Sequence, residues 1–165
     1  MEKVVLDLNT IISGSLFRGN EAEILSLLRS KRFQAVISKK MIVRLSAALN
    51  YPRLAKHLHG KTKAYILENA LKDFEIVDDV EEGIPFELDV DDSAVLLCAV
   101  SQKVEYLVTG DNKLLEIKNY EGVDIVTSTK LLQICNNVPA AMEKFRGRGK
   151  GLPPFVRDKS NRIFD

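Results

Sequence analysis

The chain has no tryptophan, two cysteines, two histidines and no apolar run that approaches the length of a membrane span. Cys98 and Cys135 stand in apolar surroundings without the spacing of metal ligands, so buried thiols are expected rather than a disulfide or a zinc site. A membrane-spanning helix needs about 18 apolar residues, and the opening segment has the character of a strand rather than of a signal-peptide core. We therefore expect a cytoplasmic protein without membrane association.

Charge is unevenly distributed along the 165 residues, although the formal net charge is only +1. Residues 18–72 contain 12 Lys and Arg against 3 Glu, whereas residues 73–92 contain 10 acidic residues and no Lys or Arg. Two surfaces of opposite charge are therefore expected.

The C-terminal 22 residues are again basic, and their Gly and Pro oppose a packed helix. We predict a domain over residues 1–143 and a basic Gly/Pro-containing C-terminal arm over residues 144–165. The arm is either a solvated tail or a surface that contacts phosphate groups. Its candidate contact residues are Arg146, Arg148 and Lys150.

Short segments rich in Val, Ile, Tyr and Phe alternate with segments whose apolar residues recur at helical spacing. The strand-like segments are KVVLD, FQAVI, FEIV, EYLVT and DIVT, which begin at positions 3, 33, 74, 105 and 124. They are too apolar for a sheet with one solvated face, so helices are expected on both sides. The sequence therefore predicts an α/β fold with a parallel sheet.

Three carboxylates stand near the ends of the predicted strands. Asp7 follows the first strand, Asp111 follows the fourth, and Asp92 opens the helix before the fourth. Ligands bind beyond the carboxyl ends of the strands in such a sheet, so these side chains are expected to converge at one edge. Taken singly, each is also typical of a turn, a cap or a helix N-terminus.

Clustered carboxylates repel one another and raise one another's pKa, and a divalent cation relieves both effects. Oxygen ligands without Cys or His favour Mg²⁺ or Mn²⁺ over zinc, and a carboxylate-held cation suits chemistry on a phosphate ester. No Ser/His/Asp or Cys/His arrangement competes, and the sequence has no phosphate-binding glycine loop. The predicted metal ligands are Asp7, Asp92 and Asp111.

The VLDLN opening, the DVDD segment that leads an apolar helix, and LVTGDNKLL resemble the motifs of the PIN-domain family. The resemblance spans roughly residues 1–136 and is to the VapC-like branch, the toxin components of toxin–antitoxin systems. It implies a three-layer α/β/α sandwich with a five-stranded parallel sheet. It also implies Mg²⁺- or Mn²⁺-dependent cleavage of single-stranded RNA, an antitoxin partner and a homodimer. The residues that match the family's catalytic positions are Asp7, Asp92 and Asp111, with Asn9 and Thr109 as supporting residues.

The sequence departs from the family pattern at two positions. Arg44 replaces the usual Glu of the helix after the second strand, and Lys113 replaces a frequent acid two residues beyond Asp111. A guanidinium beside a divalent cation would oppose its binding. Asp91 or Asp89 could supply the missing ligand, or Arg44 could point to solvent while three acids hold one weak metal. Alternatively, the cleft is a phosphate-binding groove formed by Lys39, Lys40, Arg44 and Lys113.

Two functions remain open at this point. The first is a metal-dependent endoribonuclease that acts as the toxin of a toxin–antitoxin system. The second is a degenerate, non-catalytic PIN-like domain that binds RNA or a protein partner. Apolar positions on the second and third helices indicate either a homodimer surface or core; they are Ile42, Leu45, Leu49, Tyr65 and Ile66.

Overall fold

The computed structural model describes residues 1–81, 83–85 and 87–137, and in these residues helices flank a central sheet. The strands are β1 (Lys3–Leu6), β2 (Gln34–Ser38), β3 (Phe74–Val77), β4 (Tyr106–Val108), β5 (Asn119–Tyr120) and β6 (Val123–Val126). The helices are α1 (Leu8–Leu16), α2 (Asn20–Arg29), α3 (Lys39–Ala48), α4 (Lys63–Leu71), α5 (Val90–Ser101), α6 (Asn112–Ile117) and α7 (Ser128–Asn136), with a 3₁₀ helix over Pro52–His57. The predicted C-terminal arm over residues 144–165 lies outside the described residues.

The sheet has the strand order β3-β2-β1-β4-β6-β5. All neighbouring pairs are parallel except β5 and β6. The chain builds outward from β1 first through β2 and β3 and then, on the other side, through β4 and β6. The junction of β1 and β4 is therefore the point at which the topology reverses, where α/β sheets bind ligands.

The five predicted strands correspond to β1, β2, β3, β4 and β6, which confirms the predicted α/β class. These five strands form the predicted parallel sheet, and in the described residues β5 adds a short antiparallel strand at one edge that the sequence did not indicate. Glu121 and Gly122 join β5 to β6 with φ angles of 49° and 86°. Positive φ at both positions is what a tight hairpin requires. A two-residue strand is too short to give a periodic signal in the sequence.

The central strands are buried on both faces, as their composition predicted. Val4, Val5 and Leu6 of β1 are fully buried, and α5 packs against β1, β2 and β4. Cys98 and Cys135 are both buried, and neither forms a disulfide in the described residues, which confirms the prediction for the thiols. In the part of the chain that the structure describes, no helix is long and apolar enough to cross a membrane.

Three helices begin with a side-chain cap directly after a strand. Asp7 caps α1, Ser38 caps α3 and Thr127 caps α7, and each side chain accepts a hydrogen bond from a backbone N–H of the first turn. The carboxyl ends of β1, β2 and β6 therefore pass directly into helices. This places polar residues along one edge of the sheet.

Helices α1 and α2 approach closely at Gly14. A Cβ atom at this position would lie 2.7 Å from the backbone oxygen of Glu21 and 2.8 Å from Cδ1 of Leu25. Both distances are shorter than a van der Waals contact, so the absence of a side chain sets the separation of the two helices.

We expect Gly14→Ala to destabilise the protein by about 1–2 kcal/mol, because the cost of overpacking exceeds the gain in helix propensity. The measurement is the free energy of unfolding in urea. Gly83→Ala is the control, since a Cβ there would meet no atom within 4 Å. An equal effect of the two substitutions would contradict the role given to Gly14.

Candidate active site

Asp7 lies at the junction of β1 and β4 and is 6% exposed. Its backbone N–H donates to the carbonyl oxygen of Val108 at 3.0 Å. Its Oδ1 accepts the N–H of Thr10 at 2.7 Å, and its Oδ2 accepts the hydroxyl of Thr109. Both carboxylate oxygens therefore have donors from the protein, which fix the direction of the side chain.

Thr109 is fully buried directly after β4 and links two of the predicted acidic residues. Its hydroxyl donates to Asp7 and accepts the backbone N–H of Asp111 at 3.0 Å. Asp111 then caps α6, since its Oδ1 accepts the N–H of Lys113 at 2.8 Å. The loop between β4 and α6 is thus tied to the end of β1.

Asp92 projects from the first turn of α5 and is 7% exposed. Its Oδ2 atom is buried and has no hydrogen-bond partner among the residues that the structure describes. A buried carboxylate oxygen without a donor is unfavourable unless a proton or a cation satisfies it. Asp92 is therefore the member of the cluster whose bonding is incomplete.

The pKa of Asp92 is raised from 3.8 to about 7, first by burial, then by the charges of Asp111 and Asp89, by a hydrogen bond with the Asp111 side chain and by the charge of Asp7. Asp7 and Asp111 both bond to Thr109, and both charges act on Asp92, so the three predicted acids lie near one another at the β1–β4 junction. Asp89 is the N-cap of α5, and its Oδ1 accepts the backbone N–H of Asp92 at 2.8 Å. Negative charge thus accumulates around one incompletely bonded carboxyl group.

The cluster fits a hard divalent cation in donor chemistry, because its available side-chain donors are all carboxylate oxygens. Among residues 1–81, 83–85 and 87–137, however, no group of three or more His, Cys, Asp or Glu side chains is arranged to hold a metal ion. Both carboxylate oxygens of Asp7 already accept hydrogen bonds, whereas Asp92 Oδ2 accepts none in the described residues. A cation bound here would therefore take several of its oxygen ligands from water, as Mg²⁺ commonly does.

Arg44 does not point freely to solvent. Its Nε lies 2.5 Å from Oδ1 of Asp91, and both side chains are 42% exposed. The pairing raises the pKa of the guanidinium, which stays charged. Asp91, which was predicted as an alternative ligand, is therefore paired with Arg44. Asp89, the other alternative, is the N-cap of α5.

The other predicted positive residues lie around the same edge of the sheet. Lys39 and Lys40 begin α3 directly after β2, and Lys113 is in the first turn of α6. The ammonium of Lys39 is 2.6 Å from Asp78, and the backbone N–H of Lys40 donates to Asp79. Asn9 is exposed in the first turn of α1. Arg146, Arg148 and Lys150 lie outside the described residues.

Sequence reasoning missed the partners of these charges. The pairs Lys39–Asp78 and Arg44–Asp91 join residues that are about 40 positions apart, and spacing gives no sign of such contacts. The one sequence feature that indicated such pairs was the acidic segment that directly follows the basic segment.

The chain is similar to known proteins both in its sequence and in its fold. A family model described as PIN domain matches residues 3–113. The fold is similar to a chain in the crystal structure of VapBC2 from Rickettsia felis bound to a DNA fragment from their promoter, with a TM-score of 0.56, 16% identity and coverage of 76% of this chain and 98% of that chain. It is also similar to PAE2754 from Pyrobaculum aerophilum, with a TM-score of 0.50, 16% identity and coverage of 82% and 98%. At this identity the two structures show the fold alone, and no curated protein matches the sequence.

In the absence of divalent cations, we expect the effect of Asp92→Asn on the free energy of unfolding to be more favourable at pH 8 than at pH 5. Because folding raises the pKa of Asp92 to about 7, its favourable contribution is complete below about pH 4 and is lost as the pH rises through 7. Thermal unfolding in EDTA at both pH values measures the difference. If the melting temperature of the Asp92→Asn variant changes between these pH values as much as that of the wild type, the assignment is contradicted.

Proposed function

Because the chain belongs to the PIN domain family, we propose that it is a Mg²⁺- or Mn²⁺-dependent endoribonuclease that cleaves single-stranded RNA. Members of this family are generally metal-dependent nucleases. The observation that supports this function most directly is the buried, unpartnered Oδ2 of Asp92 beside Asp7 and Asp111. A cation would give this oxygen the positively charged partner that it lacks.

In this proposal Asp7, Asp92 and Asp111 hold the cation, directly or through waters. A bound Mg²⁺ or Mn²⁺ would lower the pKa of water and offset the negative charge of the scissile phosphate. Thr109 fixes the orientation of Asp7, and a carboxylate of the cluster orients the attacking water. Asp91 remains a ligand only if it leaves Arg44.

The positive residues around the cluster are proposed to bind the phosphates of the RNA. Arg44 is already charged and half-exposed at the rim, and its fork of N–H groups suits a phosphate. Lys39, Lys40 and Lys113 lie at the same edge of the sheet. Arg146, Arg148 and Lys150 would add sequence-independent attraction from the arm.

We further propose that the protein is the toxin of a toxin–antitoxin system, held inactive by an antitoxin segment that covers the acidic cleft. The similarity in fold to VapBC2 supports this setting. A homodimer is also proposed, but Leu45, Leu49 and Ile66 are buried in the core and do not form its surface. Of the apolar positions considered in the sequence, Tyr65 is exposed and Ile42 is partly so.

The second candidate function is a non-catalytic domain that binds RNA or a protein partner. Two observations favour it: Arg44 stands at the position of the family's usual Glu, and no three-ligand group is formed in the described part of the chain. The two functions differ in whether a cation binds at Asp92.

Mn²⁺ titration calorimetry and a cleavage assay on single-stranded RNA separate the two functions. We expect wild-type protein to bind Mn²⁺ with at least millimolar affinity and to cleave, and Asp92→Asn to lose both. Glu116→Gln removes an exposed acid on α6 and is expected to change neither. Absence of binding and cleavage in the wild type would favour the non-catalytic domain.

Arg44→Glu restores the acid that the family usually has at this position, and we expect it to raise the affinity for Mn²⁺ at least about fivefold. One unit charge about 4 Å from another contributes roughly 1 kcal/mol even in bulk water. Arg44→Gln should have a smaller effect in the same direction.

The matched control for Arg44→Glu is Lys103→Glu, an equal change of charge at an exposed residue in the turn before β4, at the opposite edge of the sheet. Calorimetry compares the variants under identical conditions. An equal gain in affinity for both would show that net charge, rather than the position of Arg44, controls cation binding.

A further inference from the structure

A basic segment with two exposed tyrosines follows α3, the helix that carries Arg44, and has no role in the chemistry proposed above. Residues 45–67 contain four Lys and Arg, two His and no Asp or Glu. They include the 3₁₀ helix and the first turn of α4. We call residues 50–65 the tyrosine surface.

The two tyrosines are the large hydrophobic side chains that the tyrosine surface exposes. Tyr51 is 49% exposed and Tyr65 is 52% exposed. Each ring has a cation over it: Arg53 Cζ is 5.7 Å from the ring centroid of Tyr51, and Lys61 Nζ is 5.5 Å from that of Tyr65. Aromatic rings and positive charge are thus presented together at two places.

Within the described part of the chain, the positive charges of this surface have no acidic partners. Ion pairs in the described residues involve Arg29, Lys31, Lys39 and Arg44, and none involves a residue of the tyrosine surface. Lys63 instead donates to Oδ1 of Asn50 at 2.7 Å, which ties the beginning of α4 to the end of the turn after α3. The surface is therefore held together without neutralising its charge.

The tyrosine surface begins at the end of α3, the helix that carries Arg44. The backbone N–H of Tyr51 donates to the carbonyl oxygen of Ala48 at 3.1 Å, so Tyr51 lies directly after the last turn of that helix. At the other end, a cleft of about 140 Å³ opens beside Tyr65 and Lys61 and is also lined by His57 and His59. Positive and aromatic groups thus extend from the end of α3 to this cleft.

We propose that the tyrosine surface binds single-stranded RNA outside the cleavage cleft, with Tyr51 and Tyr65 stacking on bases and the adjacent cations contacting phosphates. Single-stranded nucleic acids are bound by this combination of aromatic platforms and a positive groove. A protein partner is less well matched, because the surface exposes no large aliphatic side chain. The inference rests on the proposed RNA substrate and names the residues that would hold it.

Binding of a fluorescent oligouridylate in EDTA tests the surface separately from cleavage. Fluorescence anisotropy should show that Tyr51→Ala and Tyr65→Ala each weaken binding roughly tenfold, since stacking contributes about 1–3 kcal/mol per base. Tyr51→Phe and Tyr65→Phe keep the ring and should bind as the wild type does. Because both tyrosines are half-exposed, thermal unfolding should show that all four variants remain folded.

The charge contribution is tested by Arg53→Gln combined with Lys61→Gln, against Lys103→Gln combined with Lys118→Gln as a control of equal charge. The first pair should weaken binding and lower the salt dependence, whose slope changes by about 0.7 for each lost phosphate contact to a single strand. The control residues are exposed in the turn before β4 and at the end of α6, and their substitution should do neither.

Equal binding by the Tyr→Ala variants and the wild type, or an equal loss in the control pair, would overturn the proposal. RNA binding that depends on the tyrosines would support it even in a protein that never cleaves. Cleavage by a protein whose tyrosine variants bind normally would overturn this inference and leave the nuclease function standing.

Discussion

The hydrogen bond from Thr109 to Asp7 joins the ends of the two central strands, and the arrangement of the acidic edge depends on it. The Thr109 hydroxyl also accepts the N–H of Asp111, so one buried side chain orients the loop after β4 relative to β1. Helix α5 then brings Asp92 to this junction, because the helix leads into β4 and must begin at the carboxyl edge of the sheet. Topology therefore places three acids together that are about 20 to 100 positions apart in the chain.

Strand positions and the three acids could be predicted from the sequence because both depend on local rules. Each of the five longer strands is a short apolar run, and an acid at the end of a parallel strand has only one edge to occupy. The hairpin of β5 could not be predicted, since it depends on the backbone angles of Glu121 and Gly122 rather than on periodicity. The partner of Arg44 could not be predicted either, because an ion pair between distant segments depends on how α3 packs against α5.

The basic and acidic segments of the sequence proved to be neighbours rather than separate surfaces. Asp78, Asp79 and Asp91 face the beginning and middle of α3 and offset part of its charge. The positive residues of the tyrosine surface, beginning with Arg53, have no ion-pair partner among the described residues. Exposed ion pairs contribute little to stability, about 0–1 kcal/mol each. Their effect here is to neutralise part of the charge of α3 and to leave the charge of the tyrosine surface unneutralised.

If the proposed cation binds at Asp92, the stability of the protein depends on the concentration of divalent cations around it. An ion that binds only the folded chain raises the free energy of unfolding in proportion to the logarithm of its concentration above the dissociation constant. Proteases degrade chains that open transiently, and the population of open chains falls as that free energy rises. A carboxyl group that costs stability when it is alone would therefore make turnover of the chain slower wherever divalent cations are plentiful and faster wherever they are scarce.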